Sequence, residues 1–369
     1  MTLLTSIPNT LKSSTIDADA MKIPTKGYAA FATDGILKPF DFHRREVGVD
    51  DVQIEIMYCG VCHSDIHTVR SEWKPETYPL VPGHELAGIV IKVGENVTNF
   101  KVGDQAGVGC MVDSCGVCMS CKEGHEQYCD KNETIFTYAS PDKHLGGITQ
   151  GGYSKTVVVK EHFVIKIPKS MDLKTAAPIL CAGVTTFSPI LAWEIKKGMV
   201  IGVAGIGGLG HMAIKLAVRK GASVIAFTTS PSKIDDILRF GAKEVIVVDD
   251  INKLARFEHK LDYMISTIPA QYNIDAYLPM VKRNATFTQV GIGAKPLDLN
   301  MGAFTHSRVN FIGSLIGGIA ETQAVIDFCA LHQIAPEIEL ISMKDINEVH
   351  NKVVDKKARY RYVIDMATL

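Results

Sequence analysis

Between residues 173 and 313, apolar and polar positions alternate between two rhythms. Short apolar runs at 200–204, 223–227, 244–248, 262–266, 286–290 and 310–312 have the length of buried strands. The segments between them repeat their apolar positions every three or four residues, as one face of a helix does. Helices are also expected at 175–181 and 185–192. Strands alternating with helices predict a parallel sheet covered by helices. From 22 to about 172 the rhythm shortens. Period-two stretches such as 52–58 (VQIEIMY) and 86–93 (LAGIVIKV), with further runs at 105–108, 153–159 and 162–167, are separated by glycines and turns and predict a mostly-β unit. Past Gly313, helices at 321–332 and 343–354 flank strand-like pieces at 337–341 and 360–365. That tail is too short for its own core and should pack back on the β unit. Residues 1–20 are polar and weakly patterned, and read as a flexible arm ahead of a folded unit starting at Met21. The expected domains are therefore 21–173 with 314–369, and 174–313.

The 200–204 run leads into Gly205-Ile206-Gly207-Gly208-Leu209-Gly210, which fits G-x-G-x-x-G. Alone that pattern is weak. Placed after a strand and at the mouth of a helix, it points to a dinucleotide, because glycines let the backbone approach a pyrophosphate and the helix N-terminus supplies N–H groups. Six strand-like runs match a fold of two mononucleotide halves.

Composition narrows the class. The chain has 369 residues, 46% hydrophobic and 21% charged, with a formal net charge of -1. Neither nucleic acid nor an acidic membrane surface is implied. No uninterrupted apolar run approaches the ~20 residues of a membrane span. The first twenty residues do not read as a secretory signal. Nine cysteines, clustered rather than spread, suggest metal binding in a reducing cytoplasm rather than disulfides.

Cys115, Cys118, Cys121 and Cys129 form C-x2-C-x2-C-x7-C. One loop with that spacing can wrap a tetrahedral ion in four thiolates, which describes a structural zinc site. An iron–sulfur cluster would favour proline after the last cysteine, where Asp130 stands. Cys110 reads as a buried small residue, and His125 is surplus to a complete shell. A second group lies upstream, in Cys59-Gly60-Val61-Cys62-His63-Ser64-Asp65-Ile66-His67 and Gly83-His84-Glu85. A catalytic zinc wants three protein ligands and an open position. Cys62, His84 and the distant Cys181 would serve, and spacing alone leaves Cys59 as an alternative.

These motifs carry a resemblance. Gly60-Val61-Cys62-His63-Ser64-Asp65, Gly83-His84-Glu85, the four-cysteine lobe, Leu180-Cys181-Ala182-Gly183 and the loop 205–211 resemble the zinc-dependent medium-chain dehydrogenases, in particular the cinnamyl alcohol dehydrogenase group. The likeness runs from about Met21 to the C-terminus. It implies a mostly-β GroES-like catalytic domain joined to a doubly wound, parallel-sheet (Rossmann) cofactor domain. It implies a catalytic zinc on Cys62, His84 and Cys181, with Glu85 beside the metal and Cys59 in the core. Asp65 would accept a hydrogen bond from the far nitrogen of His84. Ser64 and His67 would form a proton relay ending near solvent. Two zinc ions per chain, one of them structural, and a homodimer joined edge to edge near 310–312 are also implied by the resemblance.

No acid occurs between Gly221 and Ser232, where NAD-binding relatives of this fold place one. Thr228, Thr229, Ser230 and Lys233 could instead receive a 2′-phosphate through charge-assisted bonds. NADP(H) is expected over NAD(H), with Thr185, Val290 and Gly291 completing the cofactor contacts. The expected reaction is reversible aldehyde–alcohol redox on a small aromatic or aliphatic substrate, with zinc as Lewis acid. Trp73 and Met111 could line its slot. An aldehyde dismutase or formaldehyde-type dehydrogenase on the same scaffold, and an inactive zinc- and NADPH-binding protein, are the rival readings.

Overall fold

The computed structural model describes residues 22–369; the expected arm and the start at Met21 lie outside them. Two sheets dominate. The parallel one has six strands in the order Glu244–Val247, Ser223–Thr228, Val200–Ala204, Leu261–Ser266, Val281–Gln289, Asn310–Gly313. This is the doubly wound order, with its switch point between Val200–Ala204 and Leu261–Ser266. Its central strands Val200–Ala204, Ser223–Thr228 and Leu261–Ser266 are mostly apolar and buried because helices cover both faces. The strand expected at 286–290, by contrast, already begins at Val281, with Lys282, Arg283 and Asn284 exposed.

The other large sheet has seven strands. Asp51–Val61 is its hub, antiparallel to Leu86–Val93, to Thr156–Lys160 and to Arg361–Asp365. Ile338–Ser342 joins Arg361–Asp365 in parallel, so the tail completes the β unit and buries Val363 and Ile364 there. A hairpin of Lys22–Ala30 and Leu37–Arg45 leans on this sheet through a Gly27–Ser154 bridge.

Several boundaries differ from the sequence reading. The strand expected at 153–159 begins at Thr156, because Tyr153 and Ser154 bridge to Pro82 and Gly27 instead. A 3-10 turn, Glu161–Phe163, replaces the first half of the expected 162–167 strand. The helices expected at 175–181 and 185–192 are one run, Leu173–Ala192, interrupted by a π-helical turn over Ile179–Gly183. Among the described residues this is the one helix long and apolar enough to cross a bilayer, and 83% of its apolar window is buried within the protein. It is the central core helix, packing Leu180, Phe187 and Ile190 into the larger apolar cluster.

Candidate active site

The hub strand ends at Val61, and Cys62 caps the short helix His63–Val69. Asp65, fully buried, organises the surrounding polar groups. Its Oδ2 accepts the Cys62 N–H at 2.9 Å and the Tyr153 hydroxyl at 3.1 Å. Its Oδ1 accepts the Gly83 N–H at 3.2 Å and lies 3.1 Å from His84 Nδ1. One carboxylate thus ties together the cap, the Gly83-His84 turn and the imidazole. With Nδ1 facing Asp65, His84 turns Nε2 to within 3.2 Å of Cys181 Sγ. Cys181 sits in the π-helical turn, an irregularity common at functional sites.

Cys62, His84, Glu85 and Cys181 are all buried, and their ligand atoms lie within 4.8 Å of one another. Hydrogen bonding to Cys181 brings the Cys62 thiol well below its ordinary value despite burial, with His84 and Arg361 adding to the effect. Burial pushes Glu85 up to about 8, with the Arg361 charge acting the other way. Glu85 Oε1 pairs with Arg361 Nη1 at 3.1 Å, while its Oε2 is buried with no hydrogen-bond partner among the described residues. A Cβ at Gly60 would fall 1.9 Å from that Oε2, so only glycine leaves the carboxylate this room. Two sulfurs, one imidazole nitrogen and an orphaned carboxylate oxygen are a donor set suited to zinc. Cys59 is apart from this group, fully buried in the hub strand with its thiol 3.6 Å from the Gly60 carbonyl. Cys110 interacts with the Cys181 thiol and so borders this site rather than the four-cysteine lobe.

In the lobe, the sulfurs of Cys115, Cys118, Cys121 and Cys129 also fall within 4.8 Å of one another. Backbone N–H groups of Cys118 and Asp130 point at Cys115 and Cys118 sulfurs at 3.3 and 3.4 Å, as thiolates require. His125 is outside the cluster.

The loop 205–210 follows Val200–Ala204, and the helix Gly210–Arg219 begins at its end. Gly207 faces open space, while a Cβ at Gly208 would fall 2.5 Å from Arg361 Nε. Arg361 therefore stands between the glycine loop and Glu85, close to the Cys62 thiol, with Nε and Nη2 buried and without a hydrogen bond of ordinary geometry among the described residues. No sequence motif singles it out, although a cation opening an otherwise apolar strand is an available signal. At the end of Ser223–Thr228, Thr228 Oγ1 accepts the Ser230 N–H at 3.1 Å, and Thr229 is exposed. Lys233 Nζ reaches the carbonyl of Ile206 at 3.0 Å, joining this turn to the glycine loop. The N–H groups of Val290 and Gly291 both donate to the Ser266 carbonyl, at 2.9 and 3.2 Å, on the same sheet edge. Thr185 is buried one turn beyond Cys181, and Leu209 and Gly210 begin the helix.

Ser64 Oγ lies 3.6 Å from Cys62 Sγ. His67, expected near solvent, is only 7% exposed. Its ring is flanked by His63 and Trp73 at 4.6 and 4.9 Å, its Nδ1 pairs with Glu72, and its Nε2 has no partner. His67 Nδ1 is thus tied to Glu72, another residue that no sequence motif marks. Trp73 is exposed over this ring, whereas Met111, expected in the substrate slot, belongs to the core. Tyr138 completes the surroundings, its hydroxyl 3.2 Å from His84 Nδ1.

Comparison with known proteins agrees with this geometry. Residues 48–169 match the alcohol dehydrogenase GroES-like domain, and residues 208–330 match the zinc-binding dehydrogenase family. The chain is 45% identical over 351 residues to the aldehyde reductase YahK of Escherichia coli, covering 95% of this chain and 99% of that protein. It is 44% identical over 342 residues to the NADP-dependent alcohol dehydrogenase C 1 of Mycolicibacterium smegmatis, covering 93% and 98%. Among solved structures, a Sorghum bicolor cinnamyl alcohol dehydrogenase superposes with a TM-score of 0.90 at 39% identity, covering 93% of this chain and 98% of that one. The Helicobacter pylori CAD complexed with NADP(H) gives 0.89 at 44% identity, covering 94% and 99%. The chain belongs to the zinc-dependent medium-chain alcohol dehydrogenases, within the cinnamyl alcohol dehydrogenase group.

Proposed function

We propose that this chain interconverts primary alcohols and aldehydes with NADP(H), at a zinc held by Cys62, His84 and Cys181 with Glu85 beside it. The observation that carries the reading is the buried convergence of those four side chains, from three distant segments, next to an arginine that faces the glycine loop. Bound zinc supplies a Lewis acid for the substrate oxygen, and the bound nicotinamide donates or accepts the hydride.

The chain's own groups do the rest. Asp65 accepts a hydrogen bond from His84 Nδ1–H, which fixes the tautomer and leaves the Nε2 lone pair for a metal. Ser64 hands the substrate proton on, His67 receives it, and Glu72 passes it to solvent. Arg361 would offer its buried Nε and Nη2 to the pyrophosphate of a cofactor held by the glycine loop, while keeping its ion pair with Glu85. Thr228, Thr229, Ser230 and Lys233 take the 2′-phosphate, since no carboxylate stands there to repel it. The naming of relatives as NADP-dependent supports that choice.

The same reading includes a catalytic unit of 21–173 and 314–369, a cofactor unit of 174–313, and a homodimer through the sheet edge at Asn310–Gly313. It includes a second, structural zinc on Cys115, Cys118, Cys121 and Cys129, and a reducing cytoplasm that keeps the thiols free. Aromatic and long aliphatic aldehydes are the proposed substrates.

Initial rates on an aldehyde and alcohol panel with NADPH and NADH test this. NADPH should be preferred, and Thr229→Asp should lower kcat/KM for NADPH about tenfold or more while sparing NADH. An unchanged cofactor ratio would place the phosphate elsewhere.

A further inference from the structure

A second concavity, of about 320 Å³, lies on the β unit and shares no residue with the metal-ligand clusters. Leu37–Arg45 is its floor. Because strand side chains alternate, Phe40, Phe42 and Arg44 share one face. The two phenyl rings stack at 5.6 Å with an 8° interplanar angle, and the Arg44 guanidinium sits 4.9 Å from the Phe42 centroid. Tyr78, Pro79 and residues 142–149 also line it.

The charges lining this cavity are unevenly matched. Arg45 pairs with Asp51, Lys160 with Asp113 at 2.9 Å, and Lys143 with Glu133 at 3.7 Å. The N–H groups of His144 and Leu145 both donate to Asp142 Oδ1, at 2.8 and 3.0 Å, and Asp142 forms no ion pair with Arg44 among the described residues. Arg44 is only 9% exposed, yet among the described residues it has no carboxylate partner. Its hydrogen-bond acceptors are neutral: the carbonyls of Thr156, Gln150 and Gly151 and the Ser154 hydroxyl. Those four bonds leave one of its five N–H donors over. Burial lowers Arg44 to about 9, with the Asp142 charge acting against it. Asp142 acts on Arg44 only at a distance, with no direct ion pair, and buried charges are ordinarily paired directly. An anion with a flat apolar body would supply a directly paired charge and lie against the phenyl ring edges that face the cavity.

We propose that this cavity is a second ligand site, separate from the redox centre, that binds a planar aromatic monocarboxylate with its carboxylate toward Arg44 and its ring on Phe40 and Phe42. The volume is at the small end of ordinary ligand pockets, which suits one ring and a short side chain. The inference does not depend on the proposed redox chemistry.

The test is ¹⁹F NMR titration of the zinc-loaded enzyme with 4-fluorobenzoate, run beside the neutral 4-fluorobenzamide. The acid should bind saturably and the amide about tenfold more weakly, since a charge-assisted bond is lost. Phe42→Ala and Arg44→Gln should each weaken the acid about tenfold or more, while Cys62→Ala leaves its affinity unchanged. If Arg44→Gln does not fold, the Phe42→Ala variant and the amide comparison decide alone. No saturable binding, equal affinity for acid and amide, an unchanged affinity in Phe42→Ala, or loss of binding in Cys62→Ala would each overturn the proposal.

Discussion

Two clusters of metal-ligating side chains sit in the same protein and are built in opposite ways. The Cys115–Cys129 lobe draws its four sulfurs from one loop, and its supporting N–H groups come from that loop as well. The other cluster takes Cys62 from the end of the hub strand, His84 and Glu85 from a turn, and Cys181 from the core helix. It is buried throughout and depends on partners far away in sequence: Asp65 reaches Tyr153 88 residues on, and Glu85 meets Arg361 276 residues on. A local cluster can complete its own shell and so stabilise. A cluster assembled across the fold leaves groups incompletely satisfied, such as Glu85 Oε2 and two Arg361 nitrogens, and those are the groups available for chemistry.

Separating the two contributions by mutation tests that contrast. Cys121→Ser should act on folding. Loss of a structural metal site is expected to cost on the order of 4–5 kcal/mol, read as a lower urea midpoint, with the surviving folded fraction still turning over. A variant of wild-type stability would remove the lobe from its structural role.

Tyr153→Phe should do the reverse. Asp65 keeps its bonds to the Cys62 and Gly83 N–H groups but loses the hydroxyl. Zinc affinity at the dispersed cluster is expected to fall about tenfold, measured by chelator competition, with little change in the urea midpoint. Equal affinity would show that Asp65 holds His84 without Tyr153.

The smallest effect concerns how the lobe is tethered. Buried Glu126 accepts the Ile319 N–H at 3.0 Å and meets His162 at 2.8 Å. Burial pushes Glu126 up, but the bonds from His162 and Ile319 prevail and hold it below 4.5. The bond to Glu126 raises His162 above 6.5, with burial opposing. The Glu126 contribution is present above its unfolded value of 4.5 and is lost as pH falls through the lowered folded one. The His162 contribution is complete below 6.5 and is lost as pH rises through the raised folded value. Both therefore operate between these limits. Glu126→Gln should cost about 1 kcal/mol near pH ~5.5, allowing for screening at the exposed His162 ring, and less near pH ~8.5. A cost independent of pH would mean that the Ile319 bond alone matters.

The contrast also explains what can be read from the chain. The four lobe cysteines are legible because their spacing is itself the geometry. The central parallel strands are legible because burial on both faces makes each an apolar run, and the glycine loop marks their switch point. The Leu173–Ala192 run reads as two helices because a π-helical turn shifts the period between them without breaking it. Tyr138, Tyr153 and Glu72 carry no sequence signal, and Arg361 only that of a cation opening a mostly apolar strand, because each acts on a partner brought near by folding or by a loop. The resemblance implies a His67 near solvent, at the end of a relay; here His63 and Trp73 enclose its ring.

Zinc content and turnover, measured together on wild type and Cys62→Ala, test the catalytic-zinc assignment most directly. About two zinc ions per wild-type chain and about one in the variant are expected. The variant should keep its fold and its NADPH binding but lose aldehyde reduction. Wild-type zinc of about one per chain, or a variant that still turns over, would contradict the assignment.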